Sequence, residues 1–335
     1  MLNCAACGVE LRPGARFCDM CGAKVVTRCP ACGAVLRDVA RFCDLCGTPL
    51  SEGAVAPEAT VTQPLALSQR PASAGVAAGR LHTVAWRRDG SVLACGDDQF
   101  GQCQVAGWTD IVSAACGKYH TVGLRSDGTV VALGDNTYGQ CAVEEWSGVV
   151  ALACGDNHTL GLRADGTVLA AGRDGKCAVD GWKEITALAA GMEHSLGLRG
   201  DGTVVAAGEG LFGSCAVGGW TDITAIAAGH IHSLGLARDG KLRIADAFAA
   251  PGAAQWTDLQ AVAVSAYHTV GLHSDGTVVA SGDTQYGQCD TEGWTGVTAI
   301  AAGERHTVGL REDGSVVAAG DNGSGQCVVT EWRLW

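Results

Sequence analysis

Aromatic residues and long hydrophobic runs are scarce in this chain of 335 residues. Phe, Trp and Tyr make up 5% of it, whereas glycine occurs 49 times. Large rings therefore cannot fill a core, which must be built from Ala, Val, Leu and Ile on closely approaching backbones, as in short, tightly packed strands. No run approaches the roughly 18 apolar residues of a membrane span, and the first residues lack the basic and apolar stretches of a secretory signal. We expect a soluble, cytoplasmic protein with no membrane partner.

Basic residues are also in short supply, with 23 Lys and Arg against 35 Asp and Glu and a net charge of −12. Residues 1–75 hold 7 of the basic and 6 of the acidic residues, which leaves 16 against 29, or −13, for the rest. Non-specific affinity for nucleic acid rests on Lys and Arg that displace counterions from phosphates, so an acidic body is repelled. This charge disfavours chromatin or RNA binding by residues 76–335.

Cysteine is concentrated at the front of the chain, in two copies of one pattern. Each copy has two C-x2-C knuckles separated by ten residues. Four thiolates on two knuckles form the tetrahedral set that closes a structural zinc site and leaves no position for a substrate. Copies this short cannot bury a core, so metal binding must supply their folding free energy. The eight proposed ligands are Cys4, Cys7, Cys18, Cys21, Cys29, Cys32, Cys43 and Cys46.

The cysteine segment resembles a double zinc ribbon, which implies two structural zinc ions within residues 1–50. Disulfide pairing is one alternative, disfavoured in an intracellular chain, and iron in a rubredoxin-like site is another. Zinc ribbons bind nucleic acid in some families and proteins in others. Six Lys and Arg against four Asp and Glu in residues 1–50 give little reason to choose nucleic acid. Residues 51–75 hold three prolines among small residues and are interpreted as a flexible linker.

The remainder of the chain repeats one phrase seven times: Gly-x-x-His-Thr/Ser, an apolar stretch, Asp-Gly, a second apolar stretch and a Trp. Asp-Gly between two apolar runs indicates a hairpin, and a strand on either side of the Trp brings each unit to four strands. Seven such units predict an all-β fold, a seven-bladed β-propeller over residues 76–335. The histidines recur every 36 or 38 residues, at His82, His120, His158, His194, His232, His268 and His306.

This phrase resembles the RCC1 repeat, and its short units are most similar to bacterial members of that superfamily, which include a proteinaceous β-lactamase inhibitor. Guanine-nucleotide exchange by the eukaryotic namesake depends on longer repeats and on an inserted wedge, for which these spacings leave no room. The plant ultraviolet-B receptor of the same superfamily has Trp just before Arg-His-Thr, whereas Lys118 and Tyr119 precede His120 here. The resemblance therefore implies the fold, but neither exchange activity nor light sensing.

The repeated residues are interpreted as structural. Strand alternation places His120 with the apolar Val122 and Leu124, so we expect each histidine to be buried and bonded to backbone rather than to bind a metal. One Trp per unit is predicted to fill the space between blades, and one Cys per unit to be a small buried strand residue too far from the others to pair. These cysteines are Cys103, Cys141, Cys177, Cys215, Cys289 and Cys327.

The two ends of the repeat region are complementary. The last unit stops at Trp332–Trp335, before its apolar strand, and residues 75–79 are that strand without a preceding unit. We therefore predict that the two ends complete one blade together. One unit, at residues 240–256, loses the Gly-Gln-Cys phrase and contains Phe248 and Pro251, which is interpreted as decay or as a local binding feature.

Function is sought where the repeats differ. The loop before each histidine and the turn after the second apolar stretch are predicted to emerge at the same end of every blade, and the sparse aromatic residues are concentrated there. Aromatic residues in variable loops on a rigid scaffold are typical of a protein-binding surface, although they could instead pack against the neighbouring blade. The proposed partner-binding residues are Phe100, Tyr119, Tyr138, Phe212, Tyr267 and Tyr286.

Acidic residues surround these aromatics and predict a partner that is basic or rich in hydrogen-bond donors. They are Asp97, Asp98, Asp156, Glu193, Glu209, Asp283 and Glu304. No nucleophile or acid–base carboxylate recurs beside the histidines, so we expect a non-enzymatic scaffold or adaptor. The alternatives are nucleotide exchange on a small GTPase, a nucleic-acid-tethered adaptor that uses the zinc ribbons, and inhibition of a β-lactamase.

Overall fold

The computed structural model describes residues 2–3, 10–11, 73–173, 175–210, 213–245 and 252–335. The chain divides into two compact units, Met1–Ala66 and Leu67–Trp335. In the first unit, β1 (Leu2–Asn3) pairs antiparallel with β2 (Glu10–Leu11), and the pair brackets the first cysteine knuckle. The eight predicted zinc ligands, the linker up to residue 72, Phe212 and Phe248 lie outside the described residues. Among the helices that the structure describes, none has the length and apolar character needed to cross a bilayer.

The second unit consists of seven antiparallel sheets of three strands each, one for every repeat. This arrangement confirms the seven-bladed propeller. Blades 1 to 3 are β3 (Gly75–Ala78), β4 (His82–Trp86) and β5 (Val92–Gly96); β6 (Ile111–Cys116), β7 (His120–Arg125) and β8 (Val130–Gly134); and β9 (Val149–Cys154), β10 (His158–Arg163) and β11 (Val168–Gly172).

Blades 4 and 5 are β12 (Ile185–Ala190), β13 (His194–Arg199) and β14 (Val204–Gly208); and β15 (Ile223–Ala228), β16 (Ser233–Ala237) and β17 (Leu242–Ala245). Blades 6 and 7 are β18 (Leu259–Val264), β19 (His268–His273) and β20 (Val278–Gly282); and β21 (Val297–Ala302), β22 (His306–Arg311) and β23 (Val316–Gly320). A short 3₁₀ helix at Ala253–Gln255 precedes blade 6. The first strand of the propeller begins at Gly75, one residue before the predicted boundary.

The Asp-Gly pairs form the hairpins between the second and third strands, as predicted. Gly128 has a φ of 82°, in the left-handed region where only glycine is unstrained. The side chain of Asp127 accepts hydrogen bonds from the backbone N–H of Thr129 at 2.9 Å and from its hydroxyl at 2.6 Å. Both bonds stabilise the charged carboxylate and lower the pKa of Asp127.

The segment from Gly-Gln-Cys to Trp, predicted as a fourth strand, is instead a series of turns. In blade 2 the amide of Gly139 bonds to the carbonyl of Asn136 at 3.0 Å, and that of Ala142 to Gly139 at 3.0 Å. The amide of Trp146 likewise bonds to Val143 at 3.0 Å. Because these amides are used within the segment, they are not available for a strand ladder. Each blade therefore has three strands.

The tryptophans pack between blades, as predicted. The ring of Trp108, which precedes blade 2, lies against Gly123 in the middle strand of that blade, and a Cβ at this glycine would come within 2.7 Å of the ring. Trp146 packs on Gly161 of blade 3 in the same way. The glycines of the middle strands therefore make room for the rings.

Ring closure differs in one respect from the prediction. Blade 1 takes all three of its strands from residues 75–96, so the chain ends do not share a sheet. Its three strands pair with one another, β3 with β4 and β4 with β5, so the sheet contains no strand from the other end. The C-terminal residues instead pack on blade 1, where Trp332 and Leu334 join a core cluster with Val76 and Ala85. The two ends therefore meet through packing and individual hydrogen bonds, such as that from the amide of Arg88 to the carbonyl of Leu334 at 3.4 Å.

The repeated histidines link neighbouring blades. His120 is fully buried, and its Nε2 lies 3.1 Å from the hydroxyl of Thr159 in the next blade. That hydroxyl donates its proton to the carbonyl of Gln140 at 2.8 Å, so it must accept from the histidine. The sequence predicted a backbone partner for the histidine. The partner is instead a side chain of the next blade. Burial lowers the pKa of His120 to about 3, so the ring is neutral.

Candidate functional site

The loop between the first and second strands and the turn after the third strand lie at one end of each blade, which we call the loop face. In blade 2 the amide of Asp135, after the third strand, bonds to the carbonyl of Tyr119 in the first loop at 2.9 Å. Neighbouring blades also meet here, because the rings of Phe100 and Tyr119 have centroids 5.1 Å apart. The predicted clustering of these segments is present.

A buried glutamine organises the turn that carries Phe100, Tyr138 or Tyr286. Gln102 is fully buried, and its Oε1 accepts from the amide of Phe100 at 2.9 Å while its Nε2 donates to Asp97 at 2.9 Å. Gln140 makes the same two bonds to Tyr138 and Asp135. The recurring Gln in Gly-Gln-Cys was the sequence signal for this role. It holds the turn rigid and places the aromatic ring at its tip.

Four of the six predicted partner-binding residues are exposed large hydrophobic side chains. The exposed fractions are 45% for Phe100, 49% for Tyr138, 42% for Tyr267 and 36% for Tyr286. Tyr119 is half-buried beside Phe100. Packing against the neighbouring blade therefore buries part of the Tyr119 ring, but it leaves the other four rings exposed.

Arginines accompany these rings, which sequence reasoning had missed. The guanidinium of Arg305 lies 4.6 Å from the ring centroid of Tyr286 and 5.6 Å from that of Tyr267, and it donates to the Tyr286 hydroxyl at 2.9 Å. The guanidinium of Arg173 lies 5.7 Å from the centroid of Tyr138. These contacts join residues of neighbouring blades, so only the assembled ring could reveal them.

The exposed rings lie on both sides of the point of ring closure. Tyr267 and Tyr286 belong to blade 6 and its following turn, whereas Phe100 and Tyr138 follow blades 1 and 2. Blade 7 joins the two groups, because Glu304 forms an ion pair of 2.6 Å with Arg80 of blade 1. We call this set, together with Tyr119, the aromatic arc.

Some of the carboxylates near the arc are engaged within the protein. Glu304 pairs with Arg80, and Asp156 lies 3.9 Å from the ammonium of Lys118. Glu193 pairs at 2.9 Å with the buried Lys176. Burial raises the pKa of Asp156 despite the nearby positive charges. These ion pairs engage three of the seven acidic residues on which the prediction of a basic or donor-rich partner rests, whereas Asp98, Glu209 and Asp283 are exposed.

The centre of the loop face is a narrow cavity of about 120 Å³ on the propeller axis. Glycines surround it and pack directly on the next blade. A Cβ at Gly117 would lie 2.5 Å from the carbonyl oxygen of Gly155 and 2.0 Å from the ring of His120. The variable side chains at its mouth are Arg80, Lys118, Asp156, Met192, His230 and Glu304.

Comparison with known families agrees with this geometry. Residues 74–102, 111–140, 149–176, 260–288 and 297–326 match the regulator of chromosome condensation (RCC1) repeat. The chain carries RCC1 repeats. A separate match to the double zinc ribbon covers residues 4–47, which implies zinc binding by that segment. An RCC1-type propeller suggests a role in protein–protein interaction or regulation.

Two plant receptor-kinase ectodomains are similar to this RCC1-type propeller in structure. The CRINKLY WD40 ectodomain of ACR4 from Arabidopsis thaliana has 18% identity and a TM-score of 0.64, over 76% of this chain and 97% of that one. The ectodomain of CR4 from Physcomitrella patens has 21% identity and a TM-score of 0.59, over 74% and 73%. At these identities the likeness shows the fold. No curated protein matches the sequence.

The matched RCC1 repeats are those of blades 1, 2, 3, 6 and 7. Four of these five carry the aromatic arc or its ion pair, and the fifth contributes Arg173. Blades 4 and 5 depart from the repeat, since Ser214 replaces the glutamine after blade 4 and the sequence after blade 5 has no Gly-Gln-Cys phrase. The most regular repeats and the exposed aromatic residues therefore coincide.

The cysteines of the RCC1 repeats were predicted to be buried strand residues, and Cys103 shows how the structure differs. Cys103 lies in a turn rather than a strand, is partly exposed, and directs its Sγ to the carbonyl of Asp97 at 3.3 Å. Burial raises the pKa of this thiol to about 12, with help from Asp98 and Asp97. None of the nine cysteines in the described residues forms a disulfide, so no disulfide joins the blades there.

Proposed function

We propose that this RCC1-repeat protein is a non-enzymatic scaffold or adaptor that binds a protein partner through the aromatic arc. The observation that carries the proposal is the exposure of Phe100, Tyr138 and Tyr286 on turns held rigid by buried glutamines, with the exposed Tyr267 in the neighbouring loop of blade 6. Rigid aromatic side chains supply large contact areas and lose little conformational entropy on binding. Exposed rings gathered on one face of a closed scaffold are typical of an interaction site.

In this proposal the zinc module is a separate functional unit. Residues 1–50 would hold two structural zinc ions on the two cysteine sets, and residues 51–75 would tether them to the propeller of residues 76–335. Strand pairing of Leu2 with Leu11 around the first knuckle suits a zinc ribbon. Zinc-bound thiolates and nine cysteines outside disulfides in the described residues suit a reducing compartment, which supports a cytoplasmic location.

The test is affinity capture by the full-length chain, read by quantitative mass spectrometry. A variant with Phe100→Ser, Tyr138→Ser and Tyr286→Ser removes exposed rings without touching the buried glutamines. We expect it to lose at least tenfold of a specifically captured protein, since buried aromatic anchors each contribute about 2 kcal/mol or more to binding.

The matched control is Trp335→Ser, which removes a ring of 43% exposure beside the Gly314 hairpin, at the other end of blade 7. It should capture the partner as the parent chain does. Equal capture by the triple variant, with an unchanged melting temperature, would rule out the aromatic arc as the binding site.

A further inference from the structure

Arg305 is held in place on the loop face while most of its hydrogen-bonding capacity remains free. Its guanidinium contacts the rings of Tyr267 and Tyr286, and one terminal nitrogen donates to the Tyr286 hydroxyl. A guanidinium has five N–H donors in a planar fork, which suits a carboxylate. No carboxylate in the described part of the chain forms an ion pair with it.

Arg173 makes a comparable contact at the blade 3 side of the aromatic arc. Its guanidinium lies 5.7 Å from the ring centroid of Tyr138, and it too lacks an ion pair with the carboxylates that the structure describes. The basic residues between Arg305 and Arg173 are engaged, because Arg80 pairs with Glu304 and Lys118 lies near Asp156. The two guanidinium groups without an ion pair therefore lie on either side of Phe100, Tyr119 and Tyr138.

Several acidic residues near the arc bond to its turns. Asp97 and Asp135 accept from the side chains of Gln102 and Gln140, at 2.9 and 3.0 Å. The exposed Asp283 accepts from the amide of Gln285 at 3.0 Å. These carboxylates stabilise the turns, and their bonds occupy part of their accepting capacity. The arc therefore presents Phe100, Tyr119 and Tyr138 between the guanidinium donors of Arg305 and Arg173.

We propose that the aromatic arc binds a protein segment in which acidic side chains flank an apolar or aromatic centre. Arg305 and Arg173 would each bind a carboxylate, and Phe100 with the tyrosine rings would bind the apolar residues between them. This inference rests on the proposed function and specifies its partner. The propeller body carries a net charge of −13, so an acidic segment is repelled at long range and recognition depends on contacts made at short range.

The probe is a library of random peptides displayed on phage and selected on the zinc-loaded, full-length chain at 150 mM salt, where the Debye length is about 8 Å. We expect the enriched peptides to have Asp or Glu on both sides of an apolar residue. Fluorescent synthetic copies should bind at least tenfold more weakly to Arg305→Gln and to Arg173→Gln. Arg305→Lys, which keeps the charge but not the planar fork, should restore only part of the affinity.

The matched control for charge is Arg243→Gln. Arg243 is 43% exposed and lies near Asp239, at 3.8 Å, beside the hairpin of blade 5. This variant removes one positive charge away from the arc and should bind the peptides as the parent chain does. Melting temperatures equal to that of the parent would show that the arginine variants are folded.

Three outcomes would overturn the inference. Basic peptides whose binding is lost in Tyr286→Ser but kept in Arg305→Gln would overturn it and leave the proposed function intact. Peptides insensitive to both substitutions would contradict the inference and the proposed site together. If no peptide is enriched, the arc does not recognise a short acidic segment, and capture of a folded partner remains the separate test of the proposed function.

Discussion

The Nε2 of His306 lies 2.9 Å from the hydroxyl of Thr83, although the two residues are 223 positions apart. The threonine donates to the carbonyl of Gln326 at 2.7 Å, so the histidine is the donor. The same relay joins His82 to Thr121 between blades 1 and 2, at 3.0 Å. Blade 7 therefore meets blade 1 through the same bond that joins neighbours in sequence, and the closing junction is chemically equivalent to an internal one.

Thr83→Val should destabilise the protein by about 2 to 4 kcal/mol, because it keeps the side-chain shape but leaves a buried imidazole N–H and a carbonyl unpaired. Thr121→Val should cost a similar amount if the closing junction is equivalent to an internal one. Urea unfolding followed by circular dichroism measures both. Thr298→Val is the control, since its hydroxyl bonds at 3.2 Å to a carbonyl in a partly buried setting. If Thr83→Val leaves the free energy of unfolding unchanged while Thr121→Val lowers it strongly, the ring is open in solution.

Stability should fall as the pH drops below about 6.5. Burial lowers the pKa of His120, His158 and His306 to about 3, and that of His82, His194 and His268 to about 4. Between these values and the ordinary pKa the unfolded chain binds protons that the folded chain does not. Each histidine then contributes up to about 1.4 kcal/mol of destabilisation per pH unit.

Urea midpoints measured from pH 8 to pH 4.5 test this dependence. Stability should be level above about pH 7 and fall increasingly below pH 6.5. The hairpin aspartates do not account for a loss in this window, because hydrogen bonds lower the pKa of groups such as Asp127 and their contribution is lost only in stronger acid. A midpoint that stays constant from pH 7 to pH 5 would contradict the burial of neutral histidines.

Gly117→Ala should destabilise the protein by about 3 kcal/mol or more, since its Cβ would come within 2.5 Å of the Gly155 carbonyl oxygen in the next blade. Blade 6 has Ser265 at this position, and its hydroxyl lies 2.8 Å from Nδ1 of His268. Ser265→Ala should therefore cost only about 1 kcal/mol, the value of the lost hydrogen bond. Thermal and urea unfolding compare the two, with Gly107→Ala as a control in open space. Equal costs for Gly117→Ala and Gly107→Ala would show that the blades are not closely packed at the axis.

Removal of zinc should affect only the N-terminal module. Elemental analysis is expected to find two zinc ions per chain, and Cys4→Ser or Cys29→Ser should each lower the content to one. Chelation should abolish the structure of residues 1–50, because metal binding supplies their folding free energy. The propeller transition seen by calorimetry should not shift. A zinc content of two in both cysteine variants would contradict the assignment of ligands.

The repeat phrase was sufficient to predict seven blades, because periodic Asp-Gly hairpins and alternating apolar residues report local conformation. It also predicted that Trp108 and His120 serve packing. It failed for the segment after each third strand, where Val143 and Cys141 have the composition of a strand. There the turn at Gly139 and the hydrogen bonds of Gln140 outweigh β-propensity. Neither the turn nor these bonds can be predicted from the pattern of apolar residues.

Closure of the ring brought together residues that are distant in the chain. The exposed rings could be located from their positions in variable loops, since loop position follows from strand order. Their grouping into one arc, the ion pair of Arg80 with Glu304 and the placement of Arg305 between two tyrosines depend on contacts between different blades. Such contacts arise from how neighbouring sheets pack, which residue order along a single strand does not specify. The fold was therefore encoded locally and repeatedly, whereas the charge and chemistry of the loop face were decided by tertiary packing.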